Sequence, residues 1–251
     1  MTAATVISGA GTPEAEWDRW SALRNLPGLD PSGCPRAVVV APHPDDETLG
    51  VGGTVATLLG AGTRVSVVAV TDGEASHPGS GAVSPDHLRR RRWAEGARAL
   101  RELARDQPAA ATRLRLGVPD GRVRSAEDHL TDFLASLLGG EDWCLATWEG
   151  DGHPDHEATG RAARRACAVR GARLLAYPVW TWHWAVPRQP SVPWHRAVHL
   201  PLGDDALARK ARAMGCFESQ TGVLGGGAAD GPVLSADDLD HFRRPFEVVF
   251  A

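Results

Sequence analysis

From Ala37 to Trp180 the chain repeats one pattern: a short, mostly apolar run, a turn, then a longer stretch whose apolar residues return every three or four positions. The runs are "AVVVAP" from Ala37, "VSVVAVT" from Val65, "TRLRLGVPDG" from Thr112, "DWCLATW" from Asp142 and "ARLLAYPVW" from Ala172. The unbroken "AVVVAP" reads as a central parallel strand buried on both faces, and "VSVVAVT" as a second buried strand. Leu49, Gly53, Ala56 and Leu59 keep helical spacing after the first run. Further helices are predicted from Pro85 to Ala104, over 126–138, and from "DGHPDHEATGRAARRACAVRG" onward. Strands alternating with helices predict an α/β fold: a doubly wound, mostly parallel sheet with helices on both faces. Upstream, Trp17, Trp20 and Leu23 suit a short amphipathic helix followed by a Pro/Gly-rich link. The expected organisation is a helical leader over 1–35 and a single α/β domain over 36–251. "FRRPFEVVF" near the end alternates like a sheet-edge strand.

Ligands of such sheets bind beyond the carboxyl ends of the strands, and polar residues gather there. His43, Asp45, Asp46 and Glu47 follow the first run, Thr71, Asp72, Gly73 and Glu74 the second, Asp120 and Gly121 the third, and His153 and His156 the fourth. "LGVGGTVATLLG" invites a dinucleotide-binding reading, but Val55 stands where G-x-G-x-x-G needs its last glycine. The acids before it would also repel a pyrophosphate, so Gly50, Gly52 and Gly53 are expected to let the helix pack closely on the sheet.

Composition narrows the classes. The net charge is −4, with 27 basic against 31 acidic residues, which argues against a nucleic-acid binder. Almost all the basic residues are Arg, Lys210 being the sole lysine, a bias of GC-rich bacterial genomes. The N-terminus has neither the basic nor the apolar region of a secretory signal. No stretch approaches the roughly 20 apolar residues of a membrane span. Cys34, Cys144, Cys167 and Cys216 are dispersed, without a CxxC pair, so reduced thiols and a cytoplasmic location are expected.

Crowding three acids and a histidine at the end of a buried strand is unfavourable unless a cation offsets them. His43 and Asp46 stand three apart across a turn, and His153 and His156 three apart at a helix start, where Pro154 suits the first turn. Two histidines with one aspartate suit Zn²⁺ with a position left for water; Fe²⁺ accepts the same set. One acid of the Asp45/Asp46 pair is then a ligand and its neighbour is free for proton transfer, an arrangement for metal-assisted hydrolysis.

"APHPDDETLGVGG", "VTDGEASHP", the Arg92/Glu95 pair in "RRWAEGARAL" and "DGHPDHEATGRAA" resemble the LmbE/PIG-L family of zinc-dependent N-acetyl-sugar deacetylases, over roughly residues 36–220. The resemblance implies a Rossmann-like fold, His43, Asp46 and His156 as zinc ligands, and Asp45 as the general base that later protonates the leaving amine. It also implies that His153, as a protonated imidazole, stabilises the oxyanion. The substrates implied are small N-acetylglucosamine-type conjugates. Two alternatives stay open: an amidase on a sugar-linked thiol conjugate, and a non-catalytic carbohydrate- or nucleotide-binding module.

Outside these motifs, Trp180, Trp182 and Trp184 alternate and would share one face of an extended segment, as a platform for a sugar or as core. Asp72, Glu74, Arg92 and Trp180 are the candidate substrate contacts. Arg92 and Glu95 also fit an i,i+3 helix pair. His77 is a candidate brace in the same loop as Glu74, and "FESQTGVL" is expected to bring Ser219 and Gln220 near Lys210. The sequence leaves an oligomer possible.

Overall fold

The structure, a computed structural model, describes residues 9–105 and 107–251; the first eight residues of the expected leader lie outside it. Seven strands form one sheet: β1 (Arg36–Ala41), β2 (Arg64–Ala69), β3 (Ala111–Arg115), β4 (Trp143–Thr147), β5 (Arg173–Tyr177), β6 (Ala197–Pro201) and β7 (Phe246–Phe250), in the order β3-β2-β1-β4-β5-β7-β6. Strands β1 to β5 pair in parallel, while β7 runs antiparallel to both β5 and β6. The long helices are α1 (Asp46–Gly60), α2 (Pro85–Ala104), α3 (Glu127–Leu137), α4 (Pro154–Arg170) and α5 (Asp204–Met214).

The predicted parallel strands are present, and the central β1 forms for the predicted reason, whereas β3 is an edge strand with no buried residue. In β1, Ala37 and Val39 enter a core shared with α1, α2 and α5, and Val38 and Val40 enter a second core shared with α3 and α4. All four are 0% exposed, and each such valine contributes about 1.5–3 kcal/mol of burial. Two of the expected glycines allow close packing: a Cβ on Gly50 would meet the Tyr177 ring at 2.2 Å, and one on Gly53 would meet Leu202 at 2.4 Å.

The C-terminal third differs from expectation. β7 is not an edge strand; it lies between β5 and β6, and the unforeseen β6 takes the edge. The Trp-rich stretch is not extended. Thr181–Trp184 is a single helical turn, so its tryptophans diverge. Trp182 packs edge-on against Trp17 of the short helix Glu14–Arg19, with centroids 5.1 Å apart, whereas Trp180 lines the main cavity. Among the described residues no helix is long and apolar enough to cross a membrane.

The chain leaves β1 to build β2 and β3 on one side, then returns to place β4 and β5 on the other. The crevice between the carboxyl ends of β1 and β4 is therefore the topological switch point.

Candidate metal centre and active site

At that crevice the Pro42 carbonyl accepts the Thr71 N–H at 3.0 Å and the Thr71 hydroxyl at 2.8 Å, fastening the end of β1 to that of β2. In the next turn, Asp46 Oδ2 accepts the His43 backbone N–H at 2.8 Å and lies 3.2 Å from His43 Nδ1. The first turn of α4 brings His156 Nε2 to 3.2 Å from His43 Nδ1 and 3.3 Å from Asp46 Oδ2. Two imidazole nitrogens and a carboxylate oxygen thus stand at the corners of a nearly equilateral triangle. Ligands about 2.0–2.1 Å from a tetrahedral Zn²⁺-like ion stand about 3.3 Å apart, so this donor set fits a small divalent cation.

The outer ring nitrogens have carboxylate partners. His43 Nε2 lies 3.2 Å from Asp120 Oδ1 and 3.5 Å from Asp155 Oδ2, the geometry of one N–H shared by two acceptors. His156 Nδ1 lies 2.8 Å from Asp151 Oδ2. Such contacts would fix the tautomer and aim the inner nitrogen's lone pair at an ion held in the triangle. Asp120 was visible in the sequence only as a polar residue after the third run. Asp151 and Asp155 went unassigned, although both sit inside "DGHPDH", because their role depends on where the β3 and β5 ends fall. His43, His153 and His156 also offer nitrogens within 4.8 Å of one another. The tighter triangle is the better site, since His153 Nδ1 already accepts the Asp155 backbone N–H at 3.2 Å.

Asp45 stands next to this triangle at φ +134°, outside the comfortable range of an L residue. Its N–H is bound by Glu47 Oε2 at 3.1 Å, and its carboxylate by Arg92 Nη2 at 3.2 Å. Arg92 also donates to the carbonyls of Gly73 (2.9 Å) and Pro44 (2.8 Å). Arg92 therefore reaches the site but does not pair with Glu95. Glu95 binds Arg91 and accepts the Ser219 N–H and hydroxyl at 2.9 and 2.6 Å.

The electrostatics separate these groups. Burial, with Asp46 and Glu47 close by, pushes the Asp45 carboxyl up to about 7 despite Arg92. Burial acts the same way on Asp46, but His156 and His43 outweigh it and hold that carboxyl well below its usual range. For His156 burial opposes the charged form, yet Asp46 and Asp151 prevail and raise it to about 9. His153 falls to about 3, through burial and then the neighbouring His43 and His156 charges. Both influences work against the protonated imidazole that the family resemblance implies there.

A cavity of about 900 Å³ opens from these residues, near the top of the range for ligand pockets of about 300–1,000 Å³. His43, Asp45, Asp46, Arg92, His153 and Trp180 line it, together with Gln220, residues 9–13 and residues 232–235. Asp72 and Glu74 do not. Asp72 is held by Arg115 Nε and Nη2 at 2.7 and 2.6 Å, and Glu74 accepts from Arg89 and the Asp120 N–H. His77 Nε2 lies 3.1 Å from the Gly231 carbonyl, bracing the loop opposite. Lys210 pairs with Glu247 rather than approaching Ser219 and Gln220.

Fold and site together define a Rossmann-like α/β protein with a buried histidine–carboxylate group, able to bind a metal, at the switch point of its sheet. The chain belongs to the PIG-L family: the family model, described as GlcNAc-PI de-N-acetylase, matches residues 38–167. It is 28% identical over 214 residues to the 1D-myo-inositol 2-acetamido-2-deoxy-alpha-D-glucopyranoside deacetylase of Streptomyces avermitilis, covering 71% of this chain and 67% of the relative. The enzyme of the same name from Tsukamurella paurometabola is 29% identical, with 77% of this chain and 86% of the relative covered. Among solved structures, the A40926 pseudoaglycone deacetylase Dbv21 superposes with a TM-score of 0.63 at 23% identity, covering 86% of this chain and 96% of that one.

Proposed function

We propose that the protein is a Zn²⁺-dependent deacetylase that hydrolyses the acetamide of an N-acetylglucosamine-type conjugate to a free amine and acetate. The observation that carries this reading is the 3.2–3.3 Å triangle of His43, Asp46 and His156 beside a buried acid. Membership of the family, and the names of the two relatives above, supply the acetamido sugar. His43, Asp46 and His156 hold the ion. When bound, the ion supplies Lewis-acid polarisation of a water and of the acetamide carbonyl. Asp45, next to the triangle and braced by Arg92, takes the proton of the attacking water and returns it to the departing nitrogen. Arg92 and Glu47 keep that carboxylate in place. His153, its Nδ1 occupied by the Asp155 N–H, offers its remaining ring N–H to the oxygen that becomes negative in the tetrahedral adduct. Trp180 offers a face for the sugar or aglycone.

A binding module has no use for an acid strained into place beside a ligand triangle, which favours the enzyme. The cytoplasmic expectation rests on the four dispersed cysteines, all free thiols.

The test is a panel of acetamido-sugar conjugates, together with a sugar-linked N-acyl thiol conjugate, incubated with zinc-loaded protein. Acetate and amine should appear in equal amounts from an acetamido sugar. Asp45→Asn should keep its zinc and lose about 10²–10⁴ of the rate. Amine released from the thiol conjugate alone would favour the amidase. No amine from any member, or a wild-type rate in Asp45→Asn, would refute the proposal.

A further inference from the structure

Asp151 does more than face His156. Its side chain is fully buried, and four donors and the His156 imidazole surround its two oxygens. Oδ1 accepts the Val179 and Thr181 N–H groups, each at 2.9 Å, and the Thr181 hydroxyl at 2.6 Å. Oδ2 accepts the Trp180 N–H at 3.0 Å and lies 2.8 Å from His156 Nδ1. The Asp151 backbone carbonyl accepts the Trp184 indole N–H at 2.8 Å. One residue therefore gathers three consecutive N–H groups of the turn after β5, and this is why that turn curls into a helix instead of continuing as a strand.

The three backbone N–H groups and the Thr181 hydroxyl already make this carboxylate an acceptor, so the His156 Nδ1 beside it is the proton-bearing nitrogen. Nε2 is then the nitrogen left to give its lone pair to an ion in the triangle. The turn it anchors carries Val179, Trp180 and His183 into the cavity wall.

We infer that Asp151 is a positioning residue that couples the Trp180 wall of the cavity to the metal ligand His156. This rests on the proposed reading of His156 as a ligand. The turn and the imidazole share one carboxylate, so neither shifts without disturbing the other. Whatever orders the wall, a sugar ring seated on Trp180 included, also aims the ligand, and ion binding tightens the wall in return.

Asp151→Asn tests this. Asparagine has the same size, but its amide brings one acceptor oxygen and two donor hydrogens. It cannot serve His156 and the turn at once. Zn²⁺ affinity, read by competition with a chromophoric chelator, should fall about 10- to 100-fold. Amide exchange at Val179, Trp180 and Thr181 should accelerate, with the β1–β4 ladder unchanged. Faster exchange with native zinc affinity would mean that the carboxylate serves the wall alone. Weakened zinc binding with native exchange would mean that it serves His156 alone. Either result overturns the coupling. Should the variant not fold, the unaltered protein decides: zinc loading slows exchange at 179–181 relative to the β6–β7 ladder if the coupling holds, and leaves it equal if it does not. His156→Ala separates the two claims. Loss of zinc there leaves the ligand assignment standing whatever Asp151→Asn does, whereas full zinc affinity removes that assignment and this inference together.

Discussion

Asp45 shows what a single residue is asked to do. It leaves β1 at a positive φ that no glycine relieves, and it is held there by Glu47 from one side and Arg92 from the other. The room for Arg92 comes from Gly73, which has φ +66° and whose Cβ, if present, would lie 2.0 Å from Arg92 Nη1. Gly73→Ala therefore pushes the guanidinium off both Asp45 and the Pro44 carbonyl. The expected outcome is a kcat lower by about 10²-fold, the scale of a 1 Å misplacement, with zinc content unchanged because no ligand is touched. Steady-state kinetics beside metal analysis checks this; native kcat in the variant would show that Arg92 does not hold Asp45 for the proposed proton transfer.

At the scale of elements, α1 carries the Asp46 end of the site and is not a continuous helix. Val51 sits at φ −141°, ψ 19°, and the helix restarts beyond it. The N–H groups freed by the break, on Gly53 and Thr54, are accepted by Glu247 of β7 at 2.7 and 2.8 Å, with the Thr54 hydroxyl at 2.7 Å. Lys210 of α5 balances that carboxylate at 2.7 Å, both side chains being almost wholly buried. Burial lowers the Lys210 pKa although Glu247 opposes the shift, so the ammonium depends on this partner. Glu247→Gln leaves a buried charge unpaired and should destabilise by about 3–5 kcal/mol. Adding Lys210→Met to that variant should recover most of the loss. Urea unfolding of both variants measures it, and an unchanged midpoint in Glu247→Gln would show that the pair is dispensable.

Over the whole molecule, the segment before β1 closes onto the segment before β7. Glu14 accepts from His241 Nδ1 and Arg244 Nε, each at 2.6 Å, and Arg244 stacks over Trp182 with 4.0 Å to the ring centroid. Burial works to raise the Glu14 carboxyl, but the bonds from His241 and Arg244 outweigh it and bring it below its ordinary 4.5. A carboxyl depressed by folding contributes in full above its unfolded pKa, and the contribution is lost as pH falls through the folded value. The protein should therefore lose stability below about pH 4.5 more steeply than Glu14→Gln, a contrast read from urea midpoints across pH. Parallel curves for the two proteins would count against this closure.

The sequence by itself determined the parallel core of the sheet, because β1, β2 and β4 are buried on both faces and only unbroken apolar runs can fill that place. It also supplied the residues proposed as ligands, since His43 and Asp46 share one short motif and His156 closes another, whereas their meeting at 3.2–3.3 Å is tertiary. Tertiary structure decided what depends on meetings between distant segments. Arg92 turned from Glu95 to Asp45 because Gly73 left space. Asp72 and Glu74 were taken up by arginines of α2 and β3, away from the cavity. The Trp-rich stretch curled because Asp151, nearly thirty residues earlier, offered a carboxylate to its N–H groups. β7 moved inside the sheet because β6 paired outside it. Spacing along a chain records which side chains can share a turn; which carboxylate finds which donor across the fold is set by the packing that brings the strand ends together.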